Sequence, residues 1–146
     1  MDNNKGMTEI VKTITSMVAG AIVVYGANII LYGHITPGGG FAGGLILAFL
    51  FMLFMLTFGK DEALKRLPLK LDHIIDSISL LGFLMIGVAG IFVGKEFLAN
   101  FFEDKGQPFA LFSSGIIPFE NLVIGFKVAA SIFLVFTVLS MFRREK

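Results

Sequence analysis

The sequence predicts an all-α membrane protein with four transmembrane helices in a single integral membrane domain, residues 1–146. Three observations lead to this fold class. The chain is 55% hydrophobic and 16% charged, with a mean hydropathy of +0.84, whereas soluble domains carry about 25% charged residues. The charges are clustered, so four long stretches contain almost none. All four prolines fall between these stretches, where a missing N–H disrupts no helix, at Pro37, Pro68, Pro108 and Pro118.

The composition also excludes several classes of protein. The high apolar fraction argues against disorder, and a net charge of only +1 argues against a nucleic-acid-binding module. The absence of cysteine excludes a disulfide scaffold, an Fe–S cluster and a zinc–thiolate site. We therefore expect the lipid bilayer to be a partner of this chain and nucleic acid not to be one.

The four apolar stretches have the lengths of transmembrane helices. They are 18 to 22 residues long and run over 13–33, 38–59, 77–94 and 121–142. At about 1.5 Å per residue, each helix is long enough to cross a hydrocarbon core of about 30 Å. Helices are expected because backbone polar groups in lipid must bond within their own segment. The first stretch is too long for the core of a typical signal peptide, and no small-residue cleavage pattern follows it.

The basic residues predict the orientation of the four spans. Three regions that must share one side hold nine of them: Lys5 and Lys12, then Lys60, Lys65, Arg66 and Lys70, then Arg143, Arg144 and Lys146. The other side holds only Lys95 and Lys105. Because basic residues accumulate on the cytoplasmic side, we expect both termini in the cytoplasm of a multi-pass protein of the cell membrane.

Two connections between spans are amphipathic. The piece 60–72 places four leucines among its charges. The connection 95–118 is longer, and Phe97, Leu98, Phe101 and Phe102 recur in it at helical spacing. This spacing predicts a short amphipathic helix at the outer membrane interface, followed by a loop.

A short glycine-rich hairpin joins the first two spans on the outer side, over residues 33–44. Gly33 is expected to close the first helix in a left-handed conformation, and Pro37 prevents its continuation. Glycines 39 and 43 are four residues apart, as are 40, 44 and Ala48, which makes a ridge that another helix can approach closely. Tight helix packing is one interpretation of this ridge, and a backbone segment that lines an ion or water path is the other.

The whole string resembles the signature of the B subunit of multi-subunit Mrp-type sodium/proton antiporters, the MnhB-like family. The matching residues are Gly33, His34, Pro37, Gly38, Gly39, Gly40, Phe41, Gly43 and Gly44. The resemblance implies a small non-catalytic subunit that packs against larger polytopic antiporter-like subunits, in a complex that transports Na+ and H+. Related subunits occur in archaeal membrane-bound hydrogenases and sulfur-reducing complexes, so the resemblance leaves the parent complex open.

Lys127 is the single charged residue inside the predicted spans. It lies about 12 Å along the fourth helix if that helix starts near Phe119, and an ammonium near mid-membrane costs at least about 2.5–3.5 kcal/mol. Three roles are open: a proton relay or ion-path residue, a structural pair with a neighbouring subunit, or a side chain that extends to the outer interface.

Three further residues are candidates for the ion path or for coupling. His34 is either a proton relay or gate, or a side chain that caps a helix end. Asp76, at the start of span three, is either a helix-starting acid or a partner for a basic group. Asn28 is a candidate for an interhelical hydrogen bond. The only other histidine is His73, predicted on the opposite side, so we expect no metal site.

The spans contain no Asp or Glu under these boundaries, and a lone proton carrier needs an acid near mid-membrane. We therefore expect that the chain does not carry ions unaided, which agrees with the accessory subunit of a cation/proton antiporter module that the resemblance implies. The sequence offers no catalytic constellation of paired carboxylates, cysteines or clustered histidines, so we expect no enzyme and no cofactor. One alternative is an antiporter-like membrane-arm subunit of a respiratory hydrogenase or sulfur-reducing complex. Such a subunit could also be a membrane anchor that has no role in ion movement. Another is a small homo-oligomeric transporter or channel.

Overall fold

The computed structural model describes residues 6–93, 96–101 and 113–142, and every regular element within them is an α-helix. The helices are α1 (Glu9–Leu31), α2 (Gly39–Phe58), α3 (Lys60–Arg66), α4 (Leu69–Phe92) and α5 (Ile117–Phe142). All except the seven-residue α3 are long and apolar enough to cross a membrane. The prediction of four such helices is confirmed, and the loop between α1 and α2 defines the hairpin end of the fold. The opposite end, which carries α3, is the α3 end.

Three helices begin earlier than the apolar stretches indicated, and the first of them, α1, starts at Glu9, four residues before the predicted span. Helix α4 starts at Leu69, eight residues before the predicted span, because Pro68 stops α3 and Asp72 suits the first turn of the next helix. Helix α5 starts at Ile117, so that Pro118 occupies its first turn, where no N–H is required. The expectation that no acid lies in a spanning helix is therefore wrong, since Asp72 and Asp76 both belong to α4.

The amphipathic connections differ from their predictions. The piece 60–72 is divided between α3 and the first turn of α4, and Ala63 of α3 is buried against Met55 and Phe133. Residues 96–101 form turns instead of the expected interfacial helix: Leu98 has a φ of 60°, and its N–H bonds the Gly87 carbonyl. The rest of that predicted segment falls mainly on 102–112, outside the described residues.

The four long helices do not pack as a symmetric bundle. Helix α2 packs against α1 on one side and α5 on the other, while α4 packs principally against α5. Helix α4 is accordingly the least buried of the four spanning helices. This arrangement leaves one edge of α4 open beside its contact with α5.

A buried hydroxyl pair joins α1 to α2 near the α3 end. The Thr15 and Thr57 hydroxyl oxygens are 3.2 Å apart, and Thr57 is fully buried. We expect Thr57→Val to lower the free energy of unfolding in mixed micelles by about 0.5–1.5 kcal/mol, because the Thr15 hydroxyl loses its partner. The Thr15→Val/Thr57→Val double variant should recover most of this loss. If the double variant instead loses as much unfolding free energy as the two single variants together, the two hydroxyls do not interact.

Candidate functional site

The central feature of the site is an ion pair between α4 and α5. The Lys127 ammonium donates to Oδ1 of Asp76 at 2.6 Å, and the Ser131 hydroxyl donates to the same oxygen, also at 2.6 Å. Lys127 and Ser131 are four residues apart on α5, so they lie one above the other on the face that meets α4. The sequence interpretation had placed Lys127 and Asp76 in separate roles, and the structure brings them together within one chain.

The pair lies well inside the spanning helices. Asp76 is seven residues from the start of α4, or about 10 Å, and Lys127 is ten residues from the start of α5, or about 15 Å. The two helices run in opposite directions, so the pair is at least about 10 Å from the nearest helix end. A charge at that depth requires a protein or water environment, because hydrocarbon offers no hydrogen-bonding group.

The hydrogen-bonding capacity of the pair is only partly used by the described residues. Lys127 uses one of its three N–H donors, and the second carboxylate oxygen of Asp76 accepts no hydrogen bond from them. The side chains are 32% exposed for Lys127 and 23% exposed for Asp76. The pair is thus half-open at the edge of the helix contact.

Polar side chains continue from the pair toward the α3 end. Asp72, one turn before Asp76, is 2% exposed, and within the described part of the chain its Oδ2 has no hydrogen-bond partner. The Thr137 hydroxyl on α5 is likewise buried without a partner among those residues. Toward the hairpin end, the α4 sequence from Leu80 to Phe92 is entirely apolar, and Val123 of α5 packs against Gly82. Helix α4 is therefore polar toward the α3 end and apolar toward the hairpin end, whereas the hairpin end of α5 carries Asn121 and Glu120, whose buried Oε1 has no hydrogen-bond partner among the described residues.

The glycine ridge of α2 contacts two helices at once. A Cβ placed on Gly43 would meet the Gly26 carbonyl of α1 at 2.7 Å, and one placed on Gly44 would collide with the Gly125 carbonyl of α5. The two glycines are adjacent in sequence, about 100° apart around the helix, so each faces a different neighbour. The ridge sets the spacing of α1, α2 and α5, and hence the position of the α5 face that carries Lys127.

The hairpin itself is tied to α5 by a side chain. The Gly40 N–H donates to Oδ1 of Asn121 at 3.3 Å, which satisfies one free amide in the first turn of α2. Gly38 and Gly39 have φ values of 144° and 77°, a region that favours glycine. Gly33 does not adopt the expected left-handed conformation; α1 ends at Leu31, and Gly33 instead lies close against Gly39. The hairpin is shaped by close backbone contact at this point.

The remaining candidates lie away from the ion pair. His34 is half-buried in the turn that follows α1, at the hairpin end. Asn28 is exposed on α1, and its side chain makes no hydrogen bond to any residue the structure describes. Pro37 and Phe41 of the hairpin are exposed as well. Among the described residues, no group of three or more His, Cys, Asp or Glu side chains could hold a metal ion.

The sequence pattern singled out neither Ser131 nor Asn121 as members of the site. Ser131 is a small polar residue in a long apolar helix, and only its four-residue spacing from Lys127 hinted at a shared partner. Asn121 stood at the predicted start of span four, where it resembled an ordinary helix-start residue. Both acquire their roles from contacts with distant segments.

This arrangement defines an all-helical membrane protein with a glycine-packed hairpin and a charged pair inside two of its long helices. The sequence pattern of a family described as domains related to the MnhB subunit of Na+/H+ antiporters matches residues 10–134. The chain belongs to this family.

Individual relatives agree with the family match. An uncharacterized protein of Methanocaldococcus jannaschii is 37% identical over 134 residues, covering 86% of this chain and 49% of that protein. A putative antiporter subunit mnhB2 of Staphylococcus saprophyticus is 39% identical over 89 residues, covering 61% of this chain and 62% of that one. The chain thus spans about half of the first relative and less than two thirds of the second.

A solved structure has the same fold. A chain in the membrane-bound sulfane sulfur reductase, an archaeal respiratory membrane complex, superposes with a TM-score of 0.72. The match covers 95% of this chain and 63% of the other, at 24% sequence identity. The likeness extends over nearly all of the present sequence.

Proposed function

We propose that this chain is a non-catalytic subunit of a multi-subunit cation/proton antiporter module, in which Na+ and H+ are the transported ions. Membership of the MnhB-related family over residues 10–134 is the observation that carries this proposal. The subunit contributes to assembly through its helix faces. Its partners are larger polytopic antiporter-like subunits, and it lies in the cell membrane with both termini in the cytoplasm.

Within that module, the Lys127–Asp76 pair is the element that takes part in ion movement or coupling. Asp72 extends the polar surface from the pair toward the α3 end, whereas toward the hairpin end α4 is apolar and no polar residue of α5 lies between Asn121 and Lys127, which are about 9 Å apart along the helix. An ion or proton that reaches the pair therefore needs groups of another subunit to continue. The chain alone accordingly does not conduct.

A second parent complex is favoured by one specific observation. The likeness to a chain of the sulfane sulfur reductase covers 95% of this sequence, so the same subunit fold occurs in a respiratory membrane complex. An antiporter-like membrane-arm subunit of a hydrogenase or sulfur-reducing complex is therefore the alternative function. The antiporter module and the respiratory complex differ in whether redox subunits are present, while the role of this chain in the membrane is the same in both.

Affinity purification from native membranes in a mild detergent tests the proposal. We expect the tagged chain to copurify with large polytopic subunits. Redox subunits should be present only if the parent complex is a hydrogenase or sulfur-reducing complex. Liposomes that contain the chain alone should show no Na+-dependent proton flux, whereas liposomes with the purified complex should show it. Recovery of the chain without polytopic partners, or flux through the chain alone, would instead indicate a homo-oligomeric transporter or channel.

A further inference from the structure

The edge of α4 beside the ion pair is a polar opening in an otherwise apolar surface. Leu80 and Leu84 follow Asp76 at four-residue intervals, so they lie one and two turns along nearly the same face of α4. They are 58% and 52% exposed. We call this surface, formed by Leu80, Leu84 and the exposed part of the Lys127–Asp76 pair, the α4 edge.

The α4 edge is unsuited to lipid. Two N–H donors of Lys127 and one carboxylate oxygen of Asp76 make no hydrogen bond to the described residues, about 10 Å or more from either helix end. Leaving such groups in hydrocarbon costs several kcal/mol in total. A side chain that both donates and accepts hydrogen bonds, such as an amide or a hydroxyl, could accept from Lys127 and donate to Asp76 at the same time.

The opposite flank of the fold provides a contrast. Helix α1 exposes Ile14, Met17 and Val24, which are 55%, 76% and 71% exposed. Each of these side chains is apolar, and Val24 lies in the middle of the helix. Asn28, one turn beyond Val24, adds an exposed amide to this flank but no charge, whereas the α4 edge combines comparable apolar exposure with unsatisfied charge.

We infer that the α4 edge is the surface on which a membrane-spanning helix of another subunit docks, placing an amide or hydroxyl side chain against the Lys127–Asp76 pair. The inference rests on the proposed function for the existence of that subunit. Small polar residues hold membrane helices together by such hydrogen bonds, which supports this choice of partner chemistry. Helix α4 packs principally against α5, so a partner helix has room to lie along its free side.

Site-specific photo-crosslinking within the intact complex tests this inference. A benzophenone amino acid replaces Leu80 in one variant and, as the matched control, Val24 of α1 in another. Position 80 should give an adduct with one polytopic subunit, at a yield at least fivefold above that of position 24. Peptide mass spectrometry should map the adduct to a membrane-spanning segment that contains an amide or hydroxyl residue.

Two further variants separate the role of the pair from that of the surface. In Lys127→Leu/Asp76→Leu both charged groups of the pair are absent and neither is left without the other, so the position-80 adduct should fall severalfold. Leu84→Trp keeps the pair but fills the edge, and it should reduce the same adduct even if the double variant does not accumulate.

Three results would overturn the inference while leaving the proposed function intact. They are copurification of the polytopic subunits without an adduct at position 80, an adduct only between two copies of this chain, and an adduct that neither variant reduces. Loss of copurification in the unmodified chain would instead refute the proposed function itself.

Discussion

Replacement of Lys127 by methionine is expected to remove most of the folded chain from the membrane and, with it, the antiport activity of the complex. Methionine has nearly the same length, so packing changes little, but Asp76 loses the cation that lies 2.6 Å from its Oδ1. A lone carboxylate at this depth costs about 2.5–3.5 kcal/mol. At about 1.4 kcal/mol for each factor of ten, this corresponds to roughly a hundredfold shift in the folding equilibrium. Immunodetection of the chain in membrane fractions and Na+-dependent proton flux in everted vesicles measure the two effects.

Two controls distinguish a charge in the ion path from a purely structural pair. Lys127→Arg preserves the positive charge and should restore the amount of chain. Lys127→Met/Asp76→Leu removes both charges and should also restore it, because neither member of the pair is left as a lone ion. We expect antiport per copurified complex to stay below about one tenth of the native rate in this double variant, so that loss of docking is not mistaken for loss of an ion path. Full antiport with normal assembly would indicate an anchoring subunit that has no part in ion movement.

The second large effect is expected from Gly44→Ala in α2. The added Cβ would collide with the Gly125 carbonyl and lie 3.0 Å from the Val128 Cβ, so α2 and α5 must move apart. Overpacking of this kind costs about 1–3 kcal/mol, more than the 0.5–1 kcal/mol that alanine gains over glycine within a helix. Unfolding of the purified chain in mixed micelles should show a net loss of stability.

Gly20→Ala is the matched control for this substitution. Gly20 is also inside a spanning helix, but a Cβ there meets nothing within 4 Å. The control should therefore be neutral or more stable by a few tenths to about 1 kcal/mol, the opposite sign to Gly44→Ala. Equal effects of the two substitutions would mean that the ridge of α2 does not set the spacing of α2 and α5.

Gly44→Ala and Gly20→Ala are expected to change the stability in opposite directions, and the positions of the glycines in the sequence indicate only part of the reason. Gly39 and Gly43 are four residues apart, as are Gly40 and Gly44, and this spacing predicted a ridge. The structure places neighbouring helices against that ridge. The identity of those neighbours could not be predicted, because any helix with small residues would fit the same interval. Gly26 and Gly125, the complementary positions, lie 17 residues before Gly43 and 81 residues after Gly44.

In the candidate site, too, the sequence indicated single residues but not the contacts between them. Lys127 and Asp76 were each identified from their charge near or within an apolar stretch, but their contact spans 51 residues of sequence. The boundary of span three also concealed the relationship, since Asp76 lay just outside the apolar run. A helix in a membrane protein continues through charged residues once their side chains are paired, so an apolar stretch is a lower bound on helix length.

From the sequence alone, this chain can be identified as a four-helix membrane protein of a known family, with its long apolar helices separated near prolines. These properties follow from local chemistry: apolar length against bilayer thickness, prolines at the breaks, and one specific hairpin string. The contacts between helices show, in addition, that Lys127 and Ser131 both donate to Asp76 and that α4 retains an open edge beside them. Those features depend on which helix faces meet and at what level, and helix faces in lipid are selected by packing and hydrogen bonds between distant segments, not by hydropathy.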